Sequence, residues 1–258
     1  MNIIFMSLLA GVAGMGLGGL FTTLFGSRTD KLVGIFLSFA GGVMIAIVFL
    51  ELIPEAIEYS NVVIAILGLV IGAGLVWVLN DFIDRISKTK NSALHDNYAE
   101  FFHSSDVISR KKSLFRSGLI MLFAIGLHNI PEGLALGAAG YHDISLGITL
   151  TIIIALHNIP EGMAVAAPLI AGGLSKAKAV FLTLMIGTTT VIGAILGVLI
   201  GGISDVAVAI SFAIAGGAML YVVLGEILPQ SIVTSKDRVP TIFALVGVIV
   251  GMLFIAIF

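Results

Sequence analysis

The sequence predicts an all-α polytopic membrane protein with eight transmembrane helices. Composition is the first reason: 59% of its 258 residues are apolar and 11% charged, with mean hydropathy +1.16. Soluble domains run at about 25% charged. No fold of this length hides so much apolar surface from water, so its solvent is lipid. Length patterning is the second. Runs of the roughly 20 apolar residues needed to span a bilayer fall at about 3–25, 33–57, 61–83, 117–139, 146–171, 179–202, 206–231 and 240–258. Charge placement is the third. All 13 Lys and Arg lie in loops on one side: Arg28 and Lys31, Arg85 to Arg116, Lys176 and Lys178, Lys236 and Arg238. The opposite loops, near 58–61, 140–145 and 203–205, hold none. The positive-inside rule then puts the basic loops in the cytoplasm and both termini outside.

The first run begins at Asn2 without a basic stretch or cleavage site, and reads as a retained helix. Its glycines, such as Gly11, Gly14 and Gly18, would weaken a helix in water but let backbones approach in lipid. The second run ends in Glu51, Pro54 and Glu55, and the third is uninterrupted. The loop at 84–116 has mixed charge, with His95, Asp96, Glu100, His103 and Asp106. It reads as a solvated cytoplasmic connector, with a weak regulatory metal contact as the alternative. The fourth and fifth runs carry His-Asn-Ile-Pro-Glu-Gly at 128–133 and again at 157–162. The seventh run repeats the second: Gly41, Gly42, Met44, Glu51 and Pro54 match Gly216, Gly217, Met219, Glu226 and Pro229.

Those repeats run in opposite senses through the membrane. They predict a 3+2+3 arrangement, with spans one to three related to six to eight by inverted topology. Inverted repeats let two faces exchange roles around a midplane site, as secondary transporters require and enzymes do not. Other classes fall away on composition. With no cysteine there are no disulfides or thiolate ligands. Net charge is −2 with no separate basic stripe, which excludes nucleic acid as a partner. No nucleotide-binding motif is present, so a gradient must supply any work. The outer rim of Glu55, Glu58, Asp143 and Asp205 has no compensating base and attracts cations.

Within the spans, the acids narrow to Glu51, Glu132, Glu161 and Glu226. A charge at bilayer depth costs roughly 2.5–3.5 kcal/mol, so each needs a partner or a wet path. His128 with Glu132, and His157 with Glu161, stand at i and i+4 and share a helix face. Pro131 and Pro160 leave the carbonyls of Leu127 and Leu156 without their helical donors. Asn129 and Asn158 offer amide oxygens, or caps for a broken helix. Both motifs fall near mid-depth at the 1.5 Å rise of a helix, so two antiparallel neighbours bring two imidazoles and two carboxylates together. That set suits a borderline divalent metal such as Zn(II), Fe(II) or Mn(II). A metal-free proton relay is the alternative for the pair. Depth also places Glu51, with Glu55, on the way in and Glu226 on the way out, unless each serves only the helix break at Pro54 or Pro229.

On these residues the chain resembles the ZIP (Zrt-, Irt-like protein) family of divalent-metal transporters, prokaryotic type. The likeness spans the whole chain: eight runs, a long third-to-fourth loop, and the doubled His-Asn-x-Pro-Glu-Gly motif. It implies a transporter importing Zn(II), with Fe(II), Mn(II), Co(II) and Cd(II) as further substrates, into the cytoplasm across a plasma membrane. It implies no separate cofactor. Metal would sit between spans four and five, often as two ions bridged by Glu132 and Glu161, with Met44 of span two nearby. It also implies an elevator-like motion against a scaffold that forms a homodimer. One departure stands out: span six reads Ile186-Gly-Thr-Thr-Thr-Val191, without the acid that completes a second metal site. Thr188 to Thr190 line the path or simply pack. The competing reading from the residues alone is an intramembrane zinc metalloenzyme, which lacks a His-Glu-x-x-His and leaves the inverted repeat without a purpose.

Overall fold

In lipid no water is available to the backbone, so an apolar run must close its hydrogen bonds within a helix. The computed structural model describes residues 2–26, 30–86, 107–142, 144–200, 204–235 and 237–257. Among these, eight helices are long and apolar enough to cross a membrane: α1 (Ile3–Phe25), α2 (Lys31–Glu58), α3 (Val62–Phe82), α4 (Lys111–Ala138), α5 (Gly147–Ala171), α6 (Lys176–Leu199), α7 (Asp205–Ser235) and α8 (Val239–Ile257). The chain is an all-α, multi-pass membrane protein. Several helices outrun the apolar stretches. The helix containing α4 starts at Val107, where Lys111 and Lys112 are exposed and can keep their charged heads in the headgroup layer. Of the expected connector at 84–116, the two ends are therefore helical, and residues 87–106 lie outside the described residues.

The helices sort into two groups. In one, α4 packs on α5 and α6, and α1 on α5 and α6; in the other, α2 packs on α7 and α8, and α3 on α7. The groups meet mainly along α2–α5 and α4–α7, with lesser contacts of α3 with α4 and α5 with α8. Exchanging α1 with α6, α2 with α7, α3 with α8 and α4 with α5 turns this set of pairings into itself. The inverted repeat of the sequence is thus a pseudo-two-fold axis of the packing.

Glycine holds each group together. A Cβ on Gly18 of α1 would meet the Ile159 carbonyl of α5, and one on Gly193 of α6 would meet the Ile130 carbonyl of α4. Such backbone-to-backbone approach is how helices associate where lipid supplies no hydrophobic drive. No described glycine has its close neighbours across α2–α5 or α4–α7. The main core takes full side chains from all four of these helices, among them Met44 of α2, Ile125 of α4, Val165 of α5 and Met219 of α7.

Proline marks the second repeat. Pro54 and Pro229 cannot donate to the carbonyls of Leu50 and Gly225. Ahead of each, the helix widens into a π turn, Val48–Leu52 in α2 and Val223–Ile227 in α7. Glu51 and Glu226 sit in those turns at matching places. The hexapeptide prolines behave differently: Pro131 and Pro160 lie inside unbroken α-helix. The break expected there from the sequence is absent. α1 also carries π turns, at Leu8–Ala13 and Thr22–Gly26, that α6 lacks, so the two-fold is imperfect.

Candidate metal centre

Antiparallel α4 and α5 bring the two hexapeptides face to face, and the closest contacts run between helices. His128 Nε2 lies 3.0 Å from Glu161 Oε1, and His157 Nε2 lies 3.3 Å from Glu132 Oε1. The within-helix pair expected from i,i+4 spacing is longer, with His128 Nε2 at 3.8 Å from Glu132 Oε1. Spacing put His and Glu on one face; the two-fold then crossed the partners. One donor atom from each of His128, Glu132 and Glu161 lies within 4.8 Å of the others. Glu132 Oε1 is within 3.8 Å of His128 Nε2 and 3.3 Å of His157 Nε2, so it reaches both imidazoles.

Every member of the set is buried: His128, Asn129, Glu132, His157, Asn158 and Glu161. Beyond the crossed contacts, seven of their polar side-chain atoms lack a partner, including Glu132 Oε2, Glu161 Oε2 and the amide oxygens of Asn129 and Asn158. A buried polar atom left unpaired costs about 1–3 kcal/mol, so this concentration suits a group that a cation completes. Asn158 is half accounted for: its Nδ2 donates to the Ala10 carbonyl of α1 at 2.9 Å, leaving Oδ1 directed elsewhere and making no cap. On α6, the Thr188 and Thr189 hydroxyls bond back to the carbonyls of Met185 and Ile186. Thr190 is buried against Gly11 and Gly133 with its hydroxyl unpaired. Met44 is fully buried in the main core.

The surroundings differ between the two sides. On the side away from the basic loops, a cavity of about 480 Å³ opens between the helix groups. Glu51, Glu55, Tyr59 and Asp205 line it, together with Ala135 of α4 and Ile153 of α5. Those last two stand one turn from Glu132 and His157, so the cavity floor lies one turn above the centre. Glu51 keeps one buried oxygen unpaired and is within electrostatic reach of both His157 and Glu132. Toward the basic loops the centre is capped by packed side chains: Met121, Ile125, Ala164, Val165 and Leu169 are all fully buried.

Glu226 lies apart from the histidine centre, in that packed half. Its Oε1 accepts from Asn80 Nδ2 of α3 at 3.1 Å, and its Oε2 lies 3.3 Å from the Ser117 hydroxyl of α4. The sequence reading chose Glu226 but missed Asn80, Ser117 and Gln230. Each is a lone polar residue in or beside an apolar run, a signal that goes unread when only charges are screened.

A family model described as "ZIP Zinc transporter" matches residues 86–258. The chain belongs to the ZIP family. Similar full-length relatives named "Zinc transporter ZupT" come from Chlorobium chlorochromatii (34% identity, 99% of this chain and 97% of the relative) and Akkermansia muciniphila (34%, 99% and 97%). Another, from Corynebacterium glutamicum, is 30% identical over 98% of this chain and 95% of its own. As a ZIP protein the chain is a transporter of divalent metal and not an enzyme, and the metalloenzyme reading is set aside. The metal is its cargo.

Proposed function

We propose that the chain imports Zn(II) into the cytoplasm by alternating access, binding it between α4 and α5 through His128, Glu132, His157 and Glu161, with Asn129, Asn158 and Met44 beside them. The observation that carries this is the crossed His–Glu pairing at bilayer depth, in which nitrogen and oxygen donors from two helices converge and seven further polar atoms have no partner. Nitrogen–oxygen sets of this kind suit borderline divalent ions and disfavour Cu(I). The acid-lined cavity supports Glu51 and Glu55 as the intake, since carboxylates on low-dielectric walls concentrate cations. Glu226 serves as a release station once the Ser117 hydroxyl lets it go. The family relation and the one-sided Lys and Arg support a plasma-membrane protein with both termini outside. α3 and α8 bury only 22% and 17% of their apolar windows, which leaves faces for lipid and for a second copy in a homodimer.

The test is uptake into proteoliposomes loaded with a Zn(II)-sensitive dye, comparing wild type with His128→Ala plus His157→Ala. Saturable uptake by wild type and none by the variant is expected. Binding without uptake under any pH gradient would overturn the transport assignment of this site.

A further inference from the structure

Near the basic loops, polar side chains join the two helix groups across their seam. From α4, Arg116 Nη2 donates to Asn80 Oδ1 of α3 at 3.0 Å. The neighbouring Ser117 hydroxyl lies 3.1 Å from Gln230 Oε1 and 3.3 Å from Glu226 Oε2 of α7. It has one proton, so it holds one of these acceptors at a time. Asn80 and Glu226 are themselves bonded, and Gln230 Nε2 donates to Thr234 Oγ1 at 3.0 Å. The result is a chain of bonds running from α4 into α3 and α7, with Asn80, Ser117, Glu226 and Gln230 all buried.

Two further observations give these bonds a direction. The groups are parted by the 480 Å³ cavity on the opposite side, so the polar ties hold one end of the seam while the other stands open. And, among the described residues, the seam has none of the glycine-mediated backbone contacts that fix helices within each group. Side-chain hydrogen bonds can be exchanged for water when a path opens; interlocked backbones cannot.

We propose that Ser117 and Arg116 of α4, bonded to Glu226, Gln230 and Asn80, form a releasable lock that keeps the basic side shut while the acidic cavity is open. Opening the basic side slides α4 past α7 and breaks the Ser117 bond, turning Glu226 Oε2 toward the exit while Oε1 stays on Asn80 of its own group. The lock rests on the alternating-access reading above. A purely static role, in which the cluster only satisfies a buried Glu226, affects stability without changing which side is accessible.

The absence of native cysteine allows a clean reporter. Ala164→Cys lies one turn beyond Glu161 on the basic side, fully buried among the core residues there. Its rate of modification by a membrane-impermeant thiol reagent applied to that side is measured with and without Zn(II). Adding Ser117→Ala is expected to raise the rate about tenfold, the factor for one hydrogen bond to a carboxylate. Ser117→Thr, which keeps the hydroxyl, is expected to stay near the parent. Melting temperatures of the three proteins show whether each is folded. If Ser117→Ala lowers the melting temperature but labels like Ser117→Thr, while Zn(II) still alters labelling of the parent, the lock is overturned and alternating access survives. If Zn(II) alters labelling in none of them, alternating access itself falls and takes the lock with it.

Discussion

Replacing Glu161 by Gln isolates the electrostatic part of metal binding. The side chain is fully buried, its Oε1 is 3.0 Å from His128 Nε2, and its Oε2 has no partner. With metal bound, imidazoles are neutral and carboxylates charged, so Glu132 and Glu161 together balance one divalent cation. Glu161→Gln leaves one positive charge unbalanced at bilayer depth. Insertion scales put a charge there at roughly 2.5–3.5 kcal/mol. At about 1.4 kcal/mol per factor of ten, Zn(II) affinity should fall by about two orders of magnitude. The Zn(II)-induced rise in melting temperature should shrink with it. Glu161→Asp keeps the charge and should lose less. Titration calorimetry on purified protein and melting with graded Zn(II) read both quantities. A dissociation constant for Glu161→Gln within threefold of wild type would refute the charge-balance reasoning, as would equal losses in the Asp and Gln variants.

Three further outcomes are expected. Glu51→Gln with Glu55→Gln removes two acids from the outer cavity and should raise the KM of Zn(II) uptake by about tenfold at low salt, with little change in maximal rate; an unaltered KM would argue against an electrostatic intake. Gly18→Ala places a Cβ against the backbone of α5 at Ile159 and Gly162, so it should cost about 1–3 kcal/mol and strain the Asn158–Ala10 bond, seen as lower thermal stability together with weaker Zn(II) binding. Lys31 bonds Asp237 at 2.9 Å between α2 and the start of α8, and holds that carboxyl below the usual aspartate range. A lowered native value means the contribution is present above the ordinary aspartate pKa and is lost as pH falls through the native one. The small melting difference between wild type and Asp237→Asn should therefore vanish in acid and in high salt, and a difference that persists in acid would show another cause.

The number of the helices was legible because lipid imposes a simple length rule. The convergence of the two hexapeptides was legible too, because a motif repeated at matched depth on antiparallel neighbours falls face to face. The partners within the centre were not: i,i+4 spacing suggests His128 with Glu132, while the two-fold axis that pairs His128 with Glu161 appears only when α4 and α5 pack. The behaviour of the prolines was also hidden. The four prolines of the repeated motifs all stand where a helical donor is missing, yet of these only Pro54 and Pro229 follow π turns. Asn80, Ser117 and Gln230 gave no periodic or charge signal, since each matters through a neighbour distant in sequence.

The sparse burial of α3 and α8 reaches into the physics of the surrounding membrane. α8 has 19 residues, about 28 Å of helix, close to the thickness of a hydrocarbon core, and the helix of α3 runs Val62–Ile86, about 38 Å. α7 has 31, about 46 Å, and must project or tilt. The two most lipid-exposed helices both belong to the same group. Hydrophobic matching pins that group at a set height, so bilayer thickness acts as a ruler against which the metal-carrying helices are positioned. A thicker or thinner membrane would shift that reference level without touching a single metal ligand.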